Sequence, residues 1–168
     1  MSMMVENMTT VFRTIMNDTE LNRLLYYKDD PLSSSLPDVQ TLENYYDSVD
    51  DSPSILSSII KRAPKTDDLT DQPICRLCVY LGNGIPKPST QSVMLLDQDL
   101  MIDVYTHINT YEETEFRNLK ITDRICDMLF NQNFAGIGKN VKYTRLLISN
   151  APEGYLGYKL IFTFGAMK

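Results

Sequence analysis

Two cysteines spaced as in metal and redox centres are the first residues that could do chemistry. Cys75 and Cys78 form a C-x-x-C pair, a spacing shared by zinc sites and thiol–disulfide centres. Inside a predicted strand, residues three apart point to opposite faces. Zinc would need four nitrogen or sulfur ligands, for which only Cys126 and His107 remain, and a redox pair would need a helix N-terminus. We therefore expect Cys75 and Cys78 to be ordinary core or surface cysteines.

His107 is the only histidine and therefore the only candidate for an imidazole base. It ends a predicted strand on the more polar face, beside a turn. Nucleophilic catalysis needs a nucleophile, a base and an orienting group that converge, and the residue spacing indicates no such trio. We expect an ordinary surface histidine.

Three carboxylates, Asp97, Asp99 and Asp103, lie close together in the sequence. Paired carboxylates can transfer protons or bind a hard cation. Aspartate is also a common turn residue. We expect Asp97 and Asp99 to belong to a hairpin turn, and Asp103 to be a solvated strand residue.

Gly136-Ile137-Gly138-Lys139 contains glycines typical of a phosphate-binding loop without the spacing of one. A P-loop has two glycines five apart, followed by Lys and Ser or Thr, and it leads into a helix. This segment leads into a predicted strand. The sequence thus predicts no catalytic residue, no metal site and no cofactor, and we expect a protein that is not an enzyme.

The elements that would position these residues are those of an α+β fold. Leu100–Ile108 alternates apolar and polar residues with the period of a half-buried strand. Val141–Ser149 and Tyr155–Phe164 alternate again on either side of a Pro/Gly turn. Pro73–Leu81 predicts a first strand, and Gly82-Asn83-Gly84 its turn. We expect an antiparallel or mixed sheet of about four strands.

One long helix is predicted to pack on this sheet, over about Tyr111–Asn131 with Thr110 as N-cap. Its apolar residues form two stripes on opposite sides, namely Ile121, Ile125, Met128 and Leu129, and Phe116, Leu119, Cys126 and Phe130. A surface helix usually has one apolar face. We expect the first stripe to pack on the sheet and the second to meet the N-terminal helices or another subunit.

Residues 1–27 are predicted to form a helical arm. Four apolar residues have helical spacing over about residues 4–16: Met8, Phe12, Ile15 and Met16. Asn17 and Glu20 then have the pattern of a capping box, and a second short helix with Leu21, Leu24 and Leu25 would stop before Pro31. The arm packs on its own sheet or docks on a neighbouring subunit, and the sequence favours neither.

Residues 28–72 form a long acidic connection with few periodic cues. Positions 29–72 contain ten acidic and three basic residues, a net charge of −7 against −6 for the whole chain. Apolar residues within it argue against a pure spacer, so we expect an extended segment that lies across the domain or a partner subunit. Residues 73–168 would then form the sheet-plus-helix core of a single domain spanning 1–168.

Composition excludes several classes of protein. The sequence has no apolar run of the length that a membrane helix needs, and no concentrated basic segment for binding nucleic-acid phosphates. Its first ten residues lack the pattern of a signal peptide. Three cysteines, an odd count, fit reduced thiols. We expect a protein made in a cytosol, without a membrane partner.

The order of the elements, with helices, a long connection, two strands, a long helix and two more strands, resembles the small neck proteins of tailed bacteriophages. The likeness is to the tail-completion proteins, also called tail-terminator or tail-to-head joining proteins. The segments that carry it are Asn22–Tyr27 with Asp30-Pro31-Leu32, Leu100–His107, Ile121–Ile125 and Gly157–Phe164. The acidic segment 29–72 departs from the shorter members of that family.

This resemblance implies a non-enzymatic ring subunit of the phage virion, assembled in the host bacterial cytoplasm. A tail terminator is a six-fold ring that caps the tail tube and joins it to the head. The partners implied are further copies of the chain, tail-tube protein, and head-completion or portal-side proteins, with contacts through the sheet or the loop 82–96. DNA would only pass through the channel, which an acidic surface suits.

Two alternatives stay open. A head-closure or adaptor ring of the same neck, typically twelve-fold, differs from a tail terminator in its symmetry. An acidic host-encoded binding module, such as an inhibitor or immunity-type protein, would instead use the −7 segment to capture one basic partner at 1:1 stoichiometry.

Overall fold

The computed structural model describes residues 3–70, 72–87, 95–134 and 138–165 of the chain. Its helical elements are α1 (Met3–Asn17), α2 (Thr19–Tyr26), a 3-10 turn (Val39–Thr41), α3 (Ile55–Ile59), a π-helical turn (Ile108–Glu112), α4 (Glu113–Glu115) and α5 (Arg117–Leu129). Its strands are β1 (Ile60–Lys61), β2 (Cys75–Lys87), β3 (Leu95–His107), β4 (Asn133–Phe134), β5 (Gly138–Leu147) and β6 (Tyr155–Gly165). The fold class is α+β, as the sequence predicts. Among the helices described, none is long and apolar enough to cross a membrane.

The described strands form one mixed six-stranded sheet in the order β1-β2-β3-β6-β5-β4. β1 runs parallel to β2, and the other neighbouring pairs are antiparallel. The prediction of about four strands is wrong in number. It covered the four long strands, whereas β1 and β4 have two residues each, too few to show a hydrophobic period.

The first hairpin is longer than predicted. β2 continues through Gly82-Asn83-Gly84, and β3 already includes Asp97-Gln98-Asp99, so neither segment is the turn that we expected. Between Leu81 and Gly84, β2 carries one extra residue, a β-bulge. A Cβ on Gly82 would come within 2.5 Å of the Met101 side chain. The glycine therefore permits close packing in the strand. The predicted loop 82–96 is wrong for residues 82–87 and 95–96, which lie in β2 and β3, and its residues 88–94 lie outside the described residues.

The predicted long helix is interrupted at Phe116. The π-helical turn and α4 precede this residue, whose φ of 53° is left-handed, and α5 begins after it. Thr110 lies within the π-helical turn and caps no α-helix. The first turn of α5 is instead capped by Glu112, whose carboxylate accepts a hydrogen bond of 2.8 Å from the Asn118 N–H. Arg117, the first residue after this interruption of the helix, has a completely buried side chain.

The N-terminal helices form close to their predicted bounds and pack inside the same chain. α2 contacts both α5 and β2, and its Leu21, Leu24 and Leu25 are buried. Its N-cap is Asp18 rather than Asn17, because the Asp18 carboxylate accepts the Leu21 N–H at 2.8 Å. The buried leucines explain why so short a helix is stable.

The acidic connection is a folded part of the molecule at the β1 side of the sheet. Val39, Tyr45 and Leu69 are completely buried. Ser54 caps α3 because its hydroxyl oxygen accepts a hydrogen bond from the Ser57 N–H, and β1 follows α3 directly. The segment that the sequence describes as irregular thus contributes core residues at several points along its length.

The sheet has a hydrophobic core on each face. The larger core lies under the helices and includes Ile121, Ile125 and Leu129 of α5, the stripe predicted to pack on the sheet. A smaller cluster on the other face contains Leu69, Cys78, Tyr105 and Tyr155.

Candidate functional site

The two cysteines of the C-x-x-C pair lie on opposite faces of the sheet, as their place in a strand predicts. Cys75 is in the larger core and Cys78 in the smaller cluster. Burial raises the pKa of both thiols, that of Cys78 to about 11, so neither is a thiolate at neutral pH. Burial also raises the pKa of Cys126. Within the described residues, no group of three or more His, Cys, Asp or Glu could hold a metal ion.

His107 is half-buried at the end of β3 and is held by its neighbours. Its Nδ1 lies 2.8 Å from Thr110 Oγ1, and its ring packs edge-on against Tyr155 with 5.3 Å between centroids. These contacts fix the ring at the end of the sheet. The His107 side chain therefore packs against its neighbours in this structure.

Asp103 is the centre of a buried polar cluster, not the solvated residue that we expected. Its side chain is 3% exposed; Lys159 Nζ donates to one carboxylate oxygen at 2.7 Å and the Tyr80 hydroxyl donates to the other at 2.8 Å. Burial lowers the pKa of Lys159, but hydrogen bonds to Asp103 and Tyr80 outweigh it and hold that pKa above its usual value. Lys159 is thus a protonated partner of Asp103 and a poor base.

The other two carboxylates of this strand are also paired. Asp99 accepts a hydrogen bond of 2.7 Å from Thr163 Oγ1, and Asp97 forms a 2.7 Å ion pair with Lys87. The expected turn is wrong because both residues pair with β6, and Asp97 also pairs with β2. The fourth candidate segment is only partly described: Gly136 and Ile137 lie outside the described residues, and Gly138 opens β5 with a φ of 95°.

A fully buried arginine joins α5, the main helix, to the start of the acidic connection. The sequence did not predict its burial. Arg117 donates hydrogen bonds to the carbonyl oxygens of Leu24 at 2.7 Å, Tyr27 at 2.6 Å and Lys28 at 2.6 Å, and it also pairs with Glu115. These carbonyls lie at the C-terminal end of α2, where cations are favoured. The interaction is structural.

A second buried arginine fastens the other end of the connection to β2. The Arg76 guanidinium, 1% exposed, binds Asp68 through two hydrogen bonds of 2.6 and 3.0 Å and donates to the Ser58 carbonyl at 2.9 Å. The hydrogen bond from Arg76 lowers the pKa of Asp68 to about 2. The Arg76–Asp68 ion pair could not be predicted from the sequence, because it forms only when the acidic connection folds back onto β2.

An apolar groove of about 560 Å³ separates α1 from β2 beyond the point where β1 ends. Met4, Met8 and Phe12 of α1 line one side, and Val79 and Leu81 of β2 line the other. Because β1 pairs only with Leu77 and Cys78, the groove could take apolar side chains of an extended segment.

The far end of the sheet carries an exposed strand edge that is apolar and basic. β4 pairs only with Gly138 and Lys139 of β5, and no described strand pairs with the outer edge of Val141–Leu147. Three of its side chains are largely exposed: Val141 at 60%, Leu146 at 48% and Leu147 at 62%. β5 also contains Lys139, Lys142 and Arg145 and no carboxylate. We call residues 139–147 the basic edge.

The second apolar stripe of the predicted long helix is also exposed. Phe116 is 68% exposed, Phe130 53% and Leu119 38%, and Cys126 of this stripe hydrogen-bonds with Tyr143 of β5. The expectation that N-terminal helices cover this stripe is wrong. α2 meets α5 through the 2.6 Å Arg124–Asp18 ion pair, and Arg124 projects from a different side of α5.

A tight acidic turn projects from the connection at the β1 side of the sheet. Val49 bridges to Ser52, and the two residues between them, Asp50 and Asp51, have φ values of 49° and 62°, as in a type I′ turn. Tyr46 is 55% exposed and Val49 41% exposed. We call residues 46–52, which also contain Asp47, the acidic turn.

Buried contacts hold the base of the acidic turn in place. The Tyr45 side chain is completely buried, with its hydroxyl 2.9 Å from Asn22 Oδ1 and 3.0 Å from the Met16 carbonyl. The Ile55 N–H donates to the Asn44 carbonyl at 3.0 Å, which ties the base of the turn to α3. The exposed carboxylates thus stand on a rigid support.

Comparison with known proteins shows similarity to one protein family and to a prophage-derived protein. Residues 18–164 match the YomW family. A protein of Bacillus subtilis (strain 168), described as SPbeta prophage-derived uncharacterized protein YomW, is 69% identical over 168 residues, which cover all of both chains. The matched range spans the positions of the acidic turn, the basic edge and both buried arginines.

Proposed function

This chain belongs to the YomW family, and from that premise we propose that it is a structural subunit of a phage head–tail connector ring. The ring is a tail terminator or tail-completion ring that joins the tail tube to the head. The observation that carries the proposal is that apolar side chains are exposed on the second stripe of α5 and on β5. Surfaces of this kind on a folded domain mark sites of protein association.

The apolar surface supports association because a single copy leaves it uncovered. Phe116, Leu119 and Phe130 lie on one side of α5. On β5, Leu147 lies on the sheet face that the helices cover, whereas Leu146, opposite Lys159, lies on the other face. Burying exposed apolar area contributes roughly 25 cal/mol per Å². Another copy of the chain is the partner that a ring supplies in every interface.

The chemistry of the candidate residues supports a role other than catalysis. The thiols of Cys75 and Cys78 are buried with raised pKa values. Lys159 is a protonated partner of Asp103. Each of these groups is committed to packing or to an ion pair, which favours a structural part.

The prophage origin named for the Bacillus subtilis relative supports a phage protein. On this proposal the chain is assembled in the host bacterial cytoplasm and resides in the neck of the virion. Its partners are further copies of itself, tail-tube protein, and head-completion or portal-side proteins, with DNA passing through the channel.

Native mass spectrometry with negative-stain imaging of the full chain, alone and with isolated phage tails, tests this proposal. We expect six copies, either in solution or seated at the head-proximal end of the tail. Twelve copies would replace the tail terminator with a head-closure or adaptor ring. A chain that stays monomeric and does not bind tails would overturn the proposal.

The exposed acidic turn favours a second candidate function, an acidic binding module for a basic protein. Asp47, Asp50 and Asp51 are all exposed on a rigid turn, which suits electrostatic capture of a cationic partner. Under this alternative, the chain would form a 1:1 complex with one basic protein and no ring. The same native mass measurement separates the two functions.

A further inference from the structure

The basic edge is a strand edge whose composition suits a protein partner. A free strand edge exposes backbone N–H and C=O groups, and lysines on it normally discourage indiscriminate pairing. Here Val141, Leu146 and Leu147, each at least 48% exposed, accompany Lys142 and Arg145. A partner that suits this edge combines carboxylates with apolar side chains.

The acidic turn of the same chain has that composition. It presents Asp47, Asp50 and Asp51 beside the exposed side chains of Tyr46 and Val49. It contains no basic residue, just as the basic edge contains no acidic residue. The two surfaces are therefore complementary in charge, and each offers apolar area to the other.

The two surfaces are attached at opposite ends of the strand order, so we expect them to meet between copies and not within one copy. The acidic turn precedes α3 and β1 at one end, and β5 lies four strands away in the order β1-β2-β3-β6-β5. At about 4.8 Å between neighbouring strands, this separation is roughly 19 Å. Two different, complementary surfaces at opposite ends of a subunit allow head-to-tail contacts, which generate rings when the rotation closes.

We propose that the acidic turn of one copy docks against the basic edge of the next, in a head-to-tail contact between copies of this chain. The inference rests on the proposed ring and names the surfaces that would form it. The acidic turn meets β5 at its free edge, so that its carboxylates reach Lys142 on one face of the sheet and Arg145 on the other, since residues three apart in a strand point to opposite faces. It covers the exposed aliphatic side chains of β5 at the same time.

Two charge-reversed variants of the full chain test the contact. The edge variant combines Lys142→Glu with Arg145→Glu. The turn variant combines Asp47→Lys with Asp50→Asn and Asp51→Asn, because asparagine tolerates the left-handed conformation of the two central residues. Each variant alone places like charges on both surfaces. We expect each to self-associate at least about tenfold more weakly than the natural chain.

An equimolar mixture of the two variants is the decisive sample. At one contact, the reversed edge of the edge variant, now acidic, meets the reversed turn of the turn variant, now basic. At the next contact, the natural acidic turn of the edge variant meets the natural basic edge of the turn variant. We expect alternating rings of the natural size, seen by native mass spectrometry as equal numbers of both variants. A mixture that yields only dimers of one edge variant and one turn variant would overturn the inference in favour of an edge-to-edge contact.

A control variant separates this contact from general charge effects. Lys28→Glu with Lys65→Glu gives the same net charge as the edge variant and changes neither surface; it should assemble normally. If the natural chain forms rings and both reversed variants form them equally well, the inference fails while the proposed ring stands. If the natural chain forms no oligomer, alone or with tails, the proposed function itself fails.

Discussion

The two ends of the sheet differ in how completely the chain covers them. At the β1 end, the acidic connection folds back over the sheet and is fastened by the buried side chains of Arg76 and Arg117. At the β5 end, a regular strand leaves Leu146 and Leu147 largely exposed. The region that lacks sequence periodicity is thus the better packed of the two.

This contrast teaches that periodicity and completeness of packing are separate properties. A strand shows its alternation whether or not a neighbour covers its outer edge. An irregular segment can be firmly held when buried cations bind its carbonyl oxygens, because those oxygens would otherwise lose their hydrogen bonds to water. The difference predicts stability effects concentrated at the β1 end and association effects at the β5 end.

Removing a buried arginine gives the largest expected effect. Arg117→Met leaves the carbonyls of Leu24, Tyr27 and Lys28 without their donor and Glu115 without its partner. We expect the free energy of unfolding to fall by about 3–5 kcal/mol, measured by urea denaturation.

The matched control for Arg117 is an arginine at the other end of the sheet. Arg145 is exposed and lies 5.2 Å from the Tyr158 ring centroid, so Arg145→Met should cost less than about 1 kcal/mol. Equal losses for the two substitutions would contradict the contrast between the two ends.

Acid should weaken the attachment of the connection to β2. The folded-state pKa of Asp68, about 2, lies below its ordinary value of 3.8 because Arg76 holds the charged form. The stabilisation is therefore complete above about pH 5 and is lost as the pH falls through 4 towards 2. The effect is smaller than that of Arg117 because the Asp68 side chain is 38% exposed.

Asp68→Asn isolates this contribution. The free energy of unfolding, measured from pH 7 to pH 2, should be lower than for the natural chain at neutral pH and should converge with it in acid. Asp47→Asn, at an exposed position of the acidic turn, serves as the control and should leave the profile unchanged. Parallel profiles for Asp68→Asn and the natural chain would show that the ion pair adds no pH-dependent stability.

The strands could be predicted from sequence because their alternation is local, whereas their ends and partners depend on the fold. Leu100–His107 was correctly placed in a strand, but Asp97 and Asp99 extend it because both pair with β6 and Asp97 also pairs with β2. The burial of Asp103 follows from its register opposite Lys159. The residue pattern of one strand does not show which residues of a neighbouring strand lie opposite its own.

The helix break and the fastening arginines escaped prediction for the same reason. The apolar spacing from Phe116 to Leu129 is compatible with an unbroken helix, and the break shows only in the left-handed Phe116 and the Glu112 cap. A lone arginine in sequence usually indicates a solvated side chain. The sequence did indicate the two-striped helix, but not which stripe would stay exposed.

Two adjacent tyrosines of the acidic connection differ sharply in burial. Tyr45 is completely buried, with its hydroxyl between Asn22 Oδ1 and the Met16 carbonyl, while Tyr46 is 55% exposed. Tyr45→Phe should lower the free energy of unfolding by about 1–2 kcal/mol because a buried acceptor loses its donor. Tyr46→Phe should leave it unchanged in the same thermal or urea unfolding experiment, and a reversed ranking would contradict the placement of the turn.

Phe116 gives the smallest stability effect and the sharpest test of what the exposed end is for. An L-residue in the left-handed region costs on the order of 1 kcal/mol, and the 68%-exposed ring recovers little of it by packing in one copy. Phe116→Gly relieves that strain but frees the unfolded chain, so we expect the free energy of unfolding to change by less than about 1 kcal/mol. Association, measured by analytical ultracentrifugation, should weaken because an apolar side chain is lost from the interface. Loss of stability with unchanged association would place Phe116 among the folding residues and leave the exposed stripe without a partner.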